Sequence, residues 1–569
     1  MRYVVLACDY DGTLATDGRV EGETVRALER LAHSGRKLIL VTGRELPDLE
    51  SVFSRLDLFE RVVAENGALL YNPATREKRT LAPRPPERFM DDLRKRGISN
   101  MSAGEVIVAT WRPHERKVME AIRDFGLELQ IIFNKDAVMI LPSGVNKMTG
   151  LGEALQELKL SRHNAVGIGD AENDHAFLES CECSVAVANA IPSLKEKASL
   201  VTKGARGAGV VELINKLVQN DLSDLHTAAD ENGLLLGKTD EGNVTFSYQG
   251  RNILVCGQSG SGKSTLVTGL LERISAAEYQ ICLIDPEGDY ENLPGFRTIG
   301  NEKHAPYVNE IVQVLEEPQT QVVINLVAVS AADRPDCFSS VMTTLQELCV
   351  RTGRPHWLVI DEAHHVLPSE WAPASSELAG ELSSFMLITV HPGHVSSLAL
   401  KKVDTVIVVG REPAKTLAEF AMKAEKEVPR APERDLDRGE ALLWFRDGNR
   451  LLPVVKVEPS RTQHDRHKRK YAEGELEPER VFHFRGPEGK LDLRAQNLNL
   501  FVQLAKGVDT DTWMFHLKRG DYSNWLRHCL KDTELAEEIE RIEQDQELPE
   551  KESRERVTQA ISRKYTAPA

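Results

Sequence analysis

Long apolar runs are missing from this 569-residue chain: no stretch is long enough to cross a bilayer, which argues against an integral membrane protein. A signal-peptide pattern is missing too, since the apolar start Tyr3–Ala7 reads as a buried strand, and a cytoplasmic location is the expectation. Positive charge is scarce. With 71 Lys and Arg against 87 Asp and Glu, the net charge of −16 excludes non-specific binding of nucleic acid or anionic membrane by the whole surface and leaves room only for a local basic patch. The eight cysteines are scattered, apart from Cys181 and Cys183, and lack metal-ligand spacing, so reduced thiols are expected rather than a zinc site or a disulfide framework. What is present is ordinary for a soluble globular protein, 41% hydrophobic and 28% charged residues, in a chain long enough for roughly three to four folded units.

The first unit is read from its strand ends. Tyr3-Val4-Val5-Leu6-Ala7 runs into Asp9-Tyr10-Asp11-Gly12-Thr13, placing two carboxylates at the C-terminal end of a buried parallel strand, where open α/β sheets bind ligands. A carboxylate can attack phosphorus when a metal neutralises the charge between two anions, and a second carboxylate can protonate the leaving oxygen. Asp9 and Asp11 fit those roles, although an isolated Asp-x-Asp fits a loop or a helix cap equally well. Three further pieces follow in order. Lys37–Val41 leads to Thr42-Gly43-Arg44, where a hydroxyl and backbone N–H groups suit phosphate oxygens, or else a helix cap. Lys147 offers a point charge to an accumulating phosphoryl group, or is simply solvated. Ala165–Gly169 runs into Asp170-Ala171-Glu172-Asn173-Asp174, an acidic cluster of hard oxygen ligands suited to magnesium.

These four ordered motifs, with Glu65-Asn66-Gly67-Ala68 between them, resemble the Cof-like, capped phosphatases of the haloacid dehalogenase (HAD) superfamily over residues 1 to about 215. The resemblance implies that Asp9 forms an aspartyl-phosphate and that Asp11 acts as acid, then base. It places the substrate phosphate on Thr42, Gly43, Lys147 and Asn173, and Mg2+ on Asp9, the Asp11 carbonyl and Asp170, with Asp174 as ligand or supporting partner. It further implies a Rossmannoid core at 1–81 and 144–218 and a small α+β cap at 82–143, with strands at Glu105–Thr110 and Ala137–Leu141 and a helix at Arg116–Phe125. The family's substrates are mainly small phosphate monoesters such as sugar phosphates and phosphoglycolate.

A polar linker is expected at 219–232, and a second unit at 233–455. Ile253–Cys256 enters Gly257-Gln258-Ser259-Gly260-Ser261-Gly262-Lys263-Ser264-Thr265, a complete Walker A loop. Its glycines let successive N–H groups face phosphates, Lys263 reaches the β and γ phosphates and Ser264 ligates magnesium, so ATP or GTP is expected here. Trp357–Ile360 ends in Asp361-Glu362. Asp361 suits the magnesium ion, and Glu362 suits polarisation of an attacking water, or else is a first-turn helix acid. With Asp285-Pro286-Glu287-Gly288-Asp289-Tyr290 and Ile388-Thr389-Val390-His391-Pro392, this unit resembles the HerA/FtsK ATPases, which implies a RecA-like α/β domain and a hexameric homo-oligomer. It departs from that class where His391 stands in place of the usual sensor Gln. Arg411 fits an arginine finger across a subunit boundary or a surface salt bridge.

Residues 456–479 form a basic linker around Arg461–Lys470, 480–543 a mainly helical domain with a helix over Leu491–Ala505, and 544–569 a charged, disordered tail. Trp513, Phe515, Tyr522 and Trp525 are read as core rather than as a base-stacking platform. The whole is an α/β multidomain protein, expected to be a bifunctional hydrolase that cleaves a small phosphate monoester and hydrolyses ATP. Two alternatives stand beside it: a nucleic-acid translocase, repair or defence factor whose phosphatase trims nucleic-acid ends, and a nucleotide-sensing scaffold with little turnover.

Overall fold

The computed structural model describes every residue except 135, 224, 226–232, 372–383, 433, 447–453, 462–475, 477–479, 531, 546–547 and 566–569. Most of the linker expected at 219–232 and of the basic run Arg461–Lys470 therefore lies outside the described residues. The chain divides into two compact units. One holds Met1–Gly288 and Asn292–Ser460; the other holds Asp289–Glu291 and Arg461–Ala569.

The larger unit contains two α/β sheets. In the first the strand order is Leu200–Val201, Cys183–Ala186, Ala165–Gly169, Val5–Asp9, Lys37–Val41, Arg61–Ala64, Leu69–Asn72, Glu77–Thr80. The first six run parallel and the last two turn back as antiparallel neighbours. Val5–Asp9 is buried along its whole length because parallel strands are covered on both faces, which explains its unbroken apolar run. Pairing of Asp9 with Val41 and of Cys8 with Ile168 brings the ends of three strands, and the loops that follow them, side by side.

Residues between the sheet's hairpin and Lys147 form a four-stranded antiparallel sheet in the order Met101–Ala103, Val108–Trp111, Ala137–Pro142, Leu129–Asn134, backed by helices Glu87–Lys95 and Glu115–Phe125. The second large sheet has seven parallel strands, among the described residues, from Thr405–Val409 through the central Asn252–Cys256 to Phe296–Ile299. Its other edge is antiparallel, with Glu440–Phe445, Val454–Val457, Leu234–Thr239 and Gly242–Phe246.

The two sheets are joined at the N-terminal ends of their strands. His163 stacks on Tyr279 with ring centroids 3.7 Å apart, and the Tyr279 hydroxyl donates to both Glu182 carboxylate oxygens at 3.2 and 3.0 Å. Arg2 pairs with Glu182 at 3.0 Å, and His356 Nε2 meets Asn164 Oδ1 at 3.1 Å. Arg354, fully buried, donates to the Lys159 carbonyl across the junction at 2.8 Å and to the Leu315 carbonyl at 2.8 Å.

In the smaller unit, helices Leu498–Gly507, Thr510–Arg519, Asp521–His528, Thr533–Gln544 and Glu550–Tyr565 enclose an aromatic core, with a short hairpin, Phe482–Phe484 and Leu493–Ala495. Trp513 and Tyr522 are fully buried and stack at 4.5 Å, and Phe501 stacks on Trp525 at 5.0 Å, so these aromatics pack against one another. Two expectations are corrected here. The helix expected from Leu491 starts at Leu498, because 493–495 is spent on a strand that pairs with Phe482–Phe484. The tail expected to be disordered is helical over Glu550–Tyr565: Val557, Ala560 and Ile561 sit three to four positions apart and are buried, which a reading by charge alone overlooks.

Candidate functional site

The first site lies at the C-terminal edge of the first sheet. Lys147 opens the helix Lys147–Glu157, whose start is fixed by a capping box between Asn146 and Thr149. Its ammonium is buried and donates at 2.6 Å to both Asp9 Oδ1 and Asp174 Oδ1. Burial alone works against a charged lysine, but the two carboxylates outweigh it and hold Lys147 protonated far above neutral pH. Asp9 is pushed well above the usual carboxylate range, first by burial and then by the Asp174 charge.

Asp9, Asp170 and Asp174 each present an oxygen within 4.8 Å of the others, a buried set of hard donors that fits a divalent cation such as magnesium. Asp174 spends its other oxygen on the backbone N–H groups of Asp170 and Ala171, both at 2.9 Å, so it orients the loop while Asp9 and Asp170 are better placed as ligands. Thr13 donates to Asp170 Oδ1 at 3.2 Å. Gly12, at φ +89°, has to be glycine, since a Cβ there would lie 2.3 Å from Asp170 Oδ2.

Asp11 is turned toward Arg44, whose Nε and Nη2 donate to its two oxygens at 2.6 and 2.7 Å. Thr42 is buried and accepts from the Arg44 N–H at 3.2 Å. Gly43 sits beneath the inserted unit: a Cβ at this position would be 3.1 Å from the Met139 methyl and 3.8 Å from Asn173 Nδ2. Asn173 Nδ2 donates to Asn66 Oδ1 at 2.9 Å. The residues singled out in the sequence thus come together, with Thr13, Arg44, Asn66 and the Lys147 bridge to Asp174 added by the fold. Glu65-Asn66-Gly67-Ala68 was visible as a motif without a role.

The second site is the loop between strand Asn252–Cys256 and helix Lys263–Ala276. Gly257 adopts φ +151° and has no room for a side chain, since a Cβ would meet the Val409 carbonyl at 2.1 Å. Gly260 and Gly262 also have positive φ, at 73° and 99°. Lys263 Nζ donates to the Gly257 and Gln258 carbonyls at 2.7 and 3.1 Å. Ser261, Ser264 and Thr265 continue the loop into the helix's first turn. Asp361 is buried at the end of Trp357–Ile360, two strands away from the loop's strand. Glu362 follows in left-handed backbone, φ 38° and ψ 55°.

His364 Nδ1 lies 3.6 Å from Glu362 Oε2 and 3.1 Å from Thr389 Oγ1. Burial and then the neighbouring His365 hold His364 down at about 4, so it is neutral beside Glu362 at physiological pH. His391 donates its backbone N–H to Thr389 Oγ1 at 3.1 Å, and among these histidines it is His364 that pairs with Glu362. Arg411 is exposed, and no ion pair forms on it among the described residues. No helix among the described residues is long and apolar enough to cross a membrane.

Sequence comparison agrees with this division. The family haloacid dehalogenase-like hydrolase matches residues 6–124 and 123–214, and a family described as AAA domain matches 247–399. The chain is 31% identical over 221 residues to the phosphoglycolate phosphatase of Methanothermobacter thermautotrophicus, covering 37% of this chain and 98% of that protein. It is 27% identical over 224 residues to phosphoglycolate phosphatase 2 of Saccharolobus solfataricus, covering 38% and 94%. A solved haloacid dehalogenase-like hydrolase from Bacteroides thetaiotaomicron is similar at 17% identity and a TM-score of 0.34, over 38% of this chain and 99% of that one.

Proposed function

Because the chain belongs, through its N-terminal portion, to the haloacid dehalogenase-like hydrolases and is a phosphoric monoester hydrolase, we propose that it cleaves a small phosphate monoester of the phosphoglycolate or sugar phosphate type with magnesium. We propose further that its P-loop domain hydrolyses ATP and is of the HerA/FtsK kind, in a cytoplasmic protein that assembles as a homo-oligomer. The observation that carries the phosphatase reading is the buried Lys147 ammonium bridging Asp9 and Asp174 beside Asp170.

In this reading Asp9 attacks phosphorus and the bond to the leaving oxygen breaks as Asp11 gives that oxygen its proton. Asp11 then takes a proton from water, whose oxygen attacks the same phosphorus and frees the Asp9 carboxylate and inorganic phosphate. Asp9 and Asp170 would hold magnesium, which supplies charge neutralisation between carboxylate and phosphoryl group. Thr42 and Lys147 hold phosphoryl oxygens. Arg44 grips Asp11 and must release it for proton transfer, so cleavage includes a side-chain exchange at Arg44. The Met139 methyl of the inserted unit comes within 3.1 Å of where a Cβ on Gly43 would lie, so the insert reaches down to the phosphate loop, which favours a small leaving group over a nucleic-acid end.

The test is magnesium-dependent phosphate release from phosphoglycolate, sugar phosphates, nucleotides and phosphate-ended DNA by wild type, Asp9→Asn and Lys263→Ala. Turnover of a small monoester is expected, lost by at least about a thousandfold in Asp9→Asn only. ATP hydrolysis is expected to vanish in Lys263→Ala only. Selective action on DNA ends, or monoester turnover retained by Asp9→Asn, overturns the reading.

A further inference from the structure

The turn between strands Arg61–Ala64 and Leu69–Asn72 joins three parts of the phosphatase site. Glu65 and Asn66 both take left-handed backbone, at φ 52° and 54°, a conformation that costs a non-glycine residue on the order of 1 kcal/mol and persists only where the surroundings fix it. What fixes it is on both sides. The Glu65 N–H donates to the Arg44 carbonyl at 2.9 Å, the Asn66 N–H to the Thr42 carbonyl at 3.0 Å, and Asn66 Oδ1 accepts from Asn173. Those bonds hold the phosphate loop and the metal loop.

The Glu65 side chain points the other way, into the inserted unit. It is fully buried, and its carboxylate accepts the backbone N–H groups of Glu105, Val106 and Ile107 at 2.8, 2.8 and 2.9 Å. Burying a carboxylate is expensive, and bonds from backbone N–H groups to a charged acceptor are among the stronger ones available to offset it. The segment it grips lies between the insert's own strands Met101–Ala103 and Val108–Trp111, and Val106 and Ile107 pack in one cluster with Ala68 of the turn and with Leu141 and Val145, where the insert rejoins the core, so the grip fixes the insert against the turn at its hinge. Gly104 has been kept clear for it, since a Cβ there would lie 2.4 Å from Glu65 Oε1.

We propose that Glu65 is a positioning residue for the phosphatase reaction: its carboxylate latches the inserted unit closed and, through the Asn66 turn, registers that unit with the phosphate loop and the metal loop. The inference rests on the phosphatase reading above. When only the closed form binds substrate tightly, apparent affinity falls by the fraction closed, so weakening the latch raises KM while leaving the chemistry of the closed complex intact.

Two variants test this by different routes. Glu65→Gln sets an NH2 group against at least one of the three N–H donors, and Gly104→Ala pushes the loop off an unaltered Glu65. Both are expected to raise KM for the small monoester about tenfold with kcat within about threefold of wild type. In both, the amides of residues 105–107 are expected to exchange with deuterium at least about tenfold faster, with the amides of Val5–Asp9 unchanged. Faster exchange with unchanged KM in both variants overturns the latch, as does a fall in kcat at constant KM. Should wild type show no monoesterase activity, the phosphatase reading fails, and the exchange data still decide whether Glu65 holds the insert.

Discussion

Lys147 shows how far one side chain can be forced by its neighbours. Its ammonium is nearly inaccessible to water, yet it lies 2.6 Å from each of two carboxylates, so removing it leaves like charges facing one another without solvent. Lys147→Met is expected to cost about 3–5 kcal/mol of stability at neutral pH, the usual penalty for stripping one partner from a buried ionic group. Adding Asp9→Asn removes one of the stranded charges and is expected to restore part of that loss, measured as a double-mutant cycle in urea. Strict additivity of the two substitutions would show that they do not interact. This chemistry was legible in the sequence because Asp9, Thr42 and Asp170 each end or follow a buried strand, and parallel pairing of those strands leaves their ends little choice of neighbour. The Asp11–Arg44 pair and the Glu65 latch were not legible: their partners are 33 and at least 40 positions away, and no periodicity or spacing records which backbone N–H groups a buried carboxylate will meet.

Among the elements, Glu550–Tyr565 is the one whose composition misleads most, since its charges suggest a solvated tail while one face is core. Val557, Ala560 and Ile561 are buried in it, Ser553 accepts the Trp513 indole N–H at 3.0 Å, and Arg554 donates to the Ala505 and Val508 carbonyls at 2.9 and 2.8 Å. Truncation after residue 549 would expose the core that this helix covers and leave the Trp513 donor and two helix-end carbonyls unpaired. The loss is expected to be several kcal/mol, at roughly 1–3 kcal/mol for each buried polar group left unsatisfied plus the apolar burial. Limited proteolysis of the truncated chain should then cut within 498–544 under conditions where the full chain resists, while phosphatase turnover persists. Equal resistance of the two chains would mean that the helix is dispensable to this core. By contrast, the strands around the Walker A loop were easy to place from sequence, because glycines at fixed spacing after an apolar run admit few other backbones.

At the scale of the larger unit, both candidate sites are built on C-terminal strand ends, and the junction between the two sheets is built on N-terminal ones. The sites consequently face away from one another across two strand lengths, each about 16 Å for five residues, so passage of a product directly from one to the other is ruled out by geometry. Communication would have to cross the junction, whose buried members include a histidine in one fixed tautomer. His356 Nδ1 accepts the Gln280 N–H at 2.7 Å, and Nε2 faces Asn164 Oδ1, whose amide nitrogen is committed to the Arg2 and Gly353 carbonyls. A proton added at Nδ1 would confront an N–H, and burial first, then the neighbouring His163, holds His356 well below its ordinary value. Since the folded state resists a proton that the unfolded chain accepts below about pH 6.5, stability is full above that pH and falls on acidification, by about 1.4 kcal/mol per pH unit for each such group. Glu182 acts lower: burial opposes its charge, but His163 and Arg2 outweigh that and depress its value, so its contribution is lost only as pH falls below the normal carboxylate range. His364, also held below its ordinary value by burial first, adds to the loss on acidification with the same sign, and comparison with a variant separates the two. Between pH 7.5 and 5.5 the urea midpoint of the wild type is expected to drop, and His356→Gln, which offers an acceptor and a donor but cannot titrate, is expected to remove one proton's share of that drop. An identical pH dependence in the two proteins would mean that His356 takes up its proton without disturbing the junction.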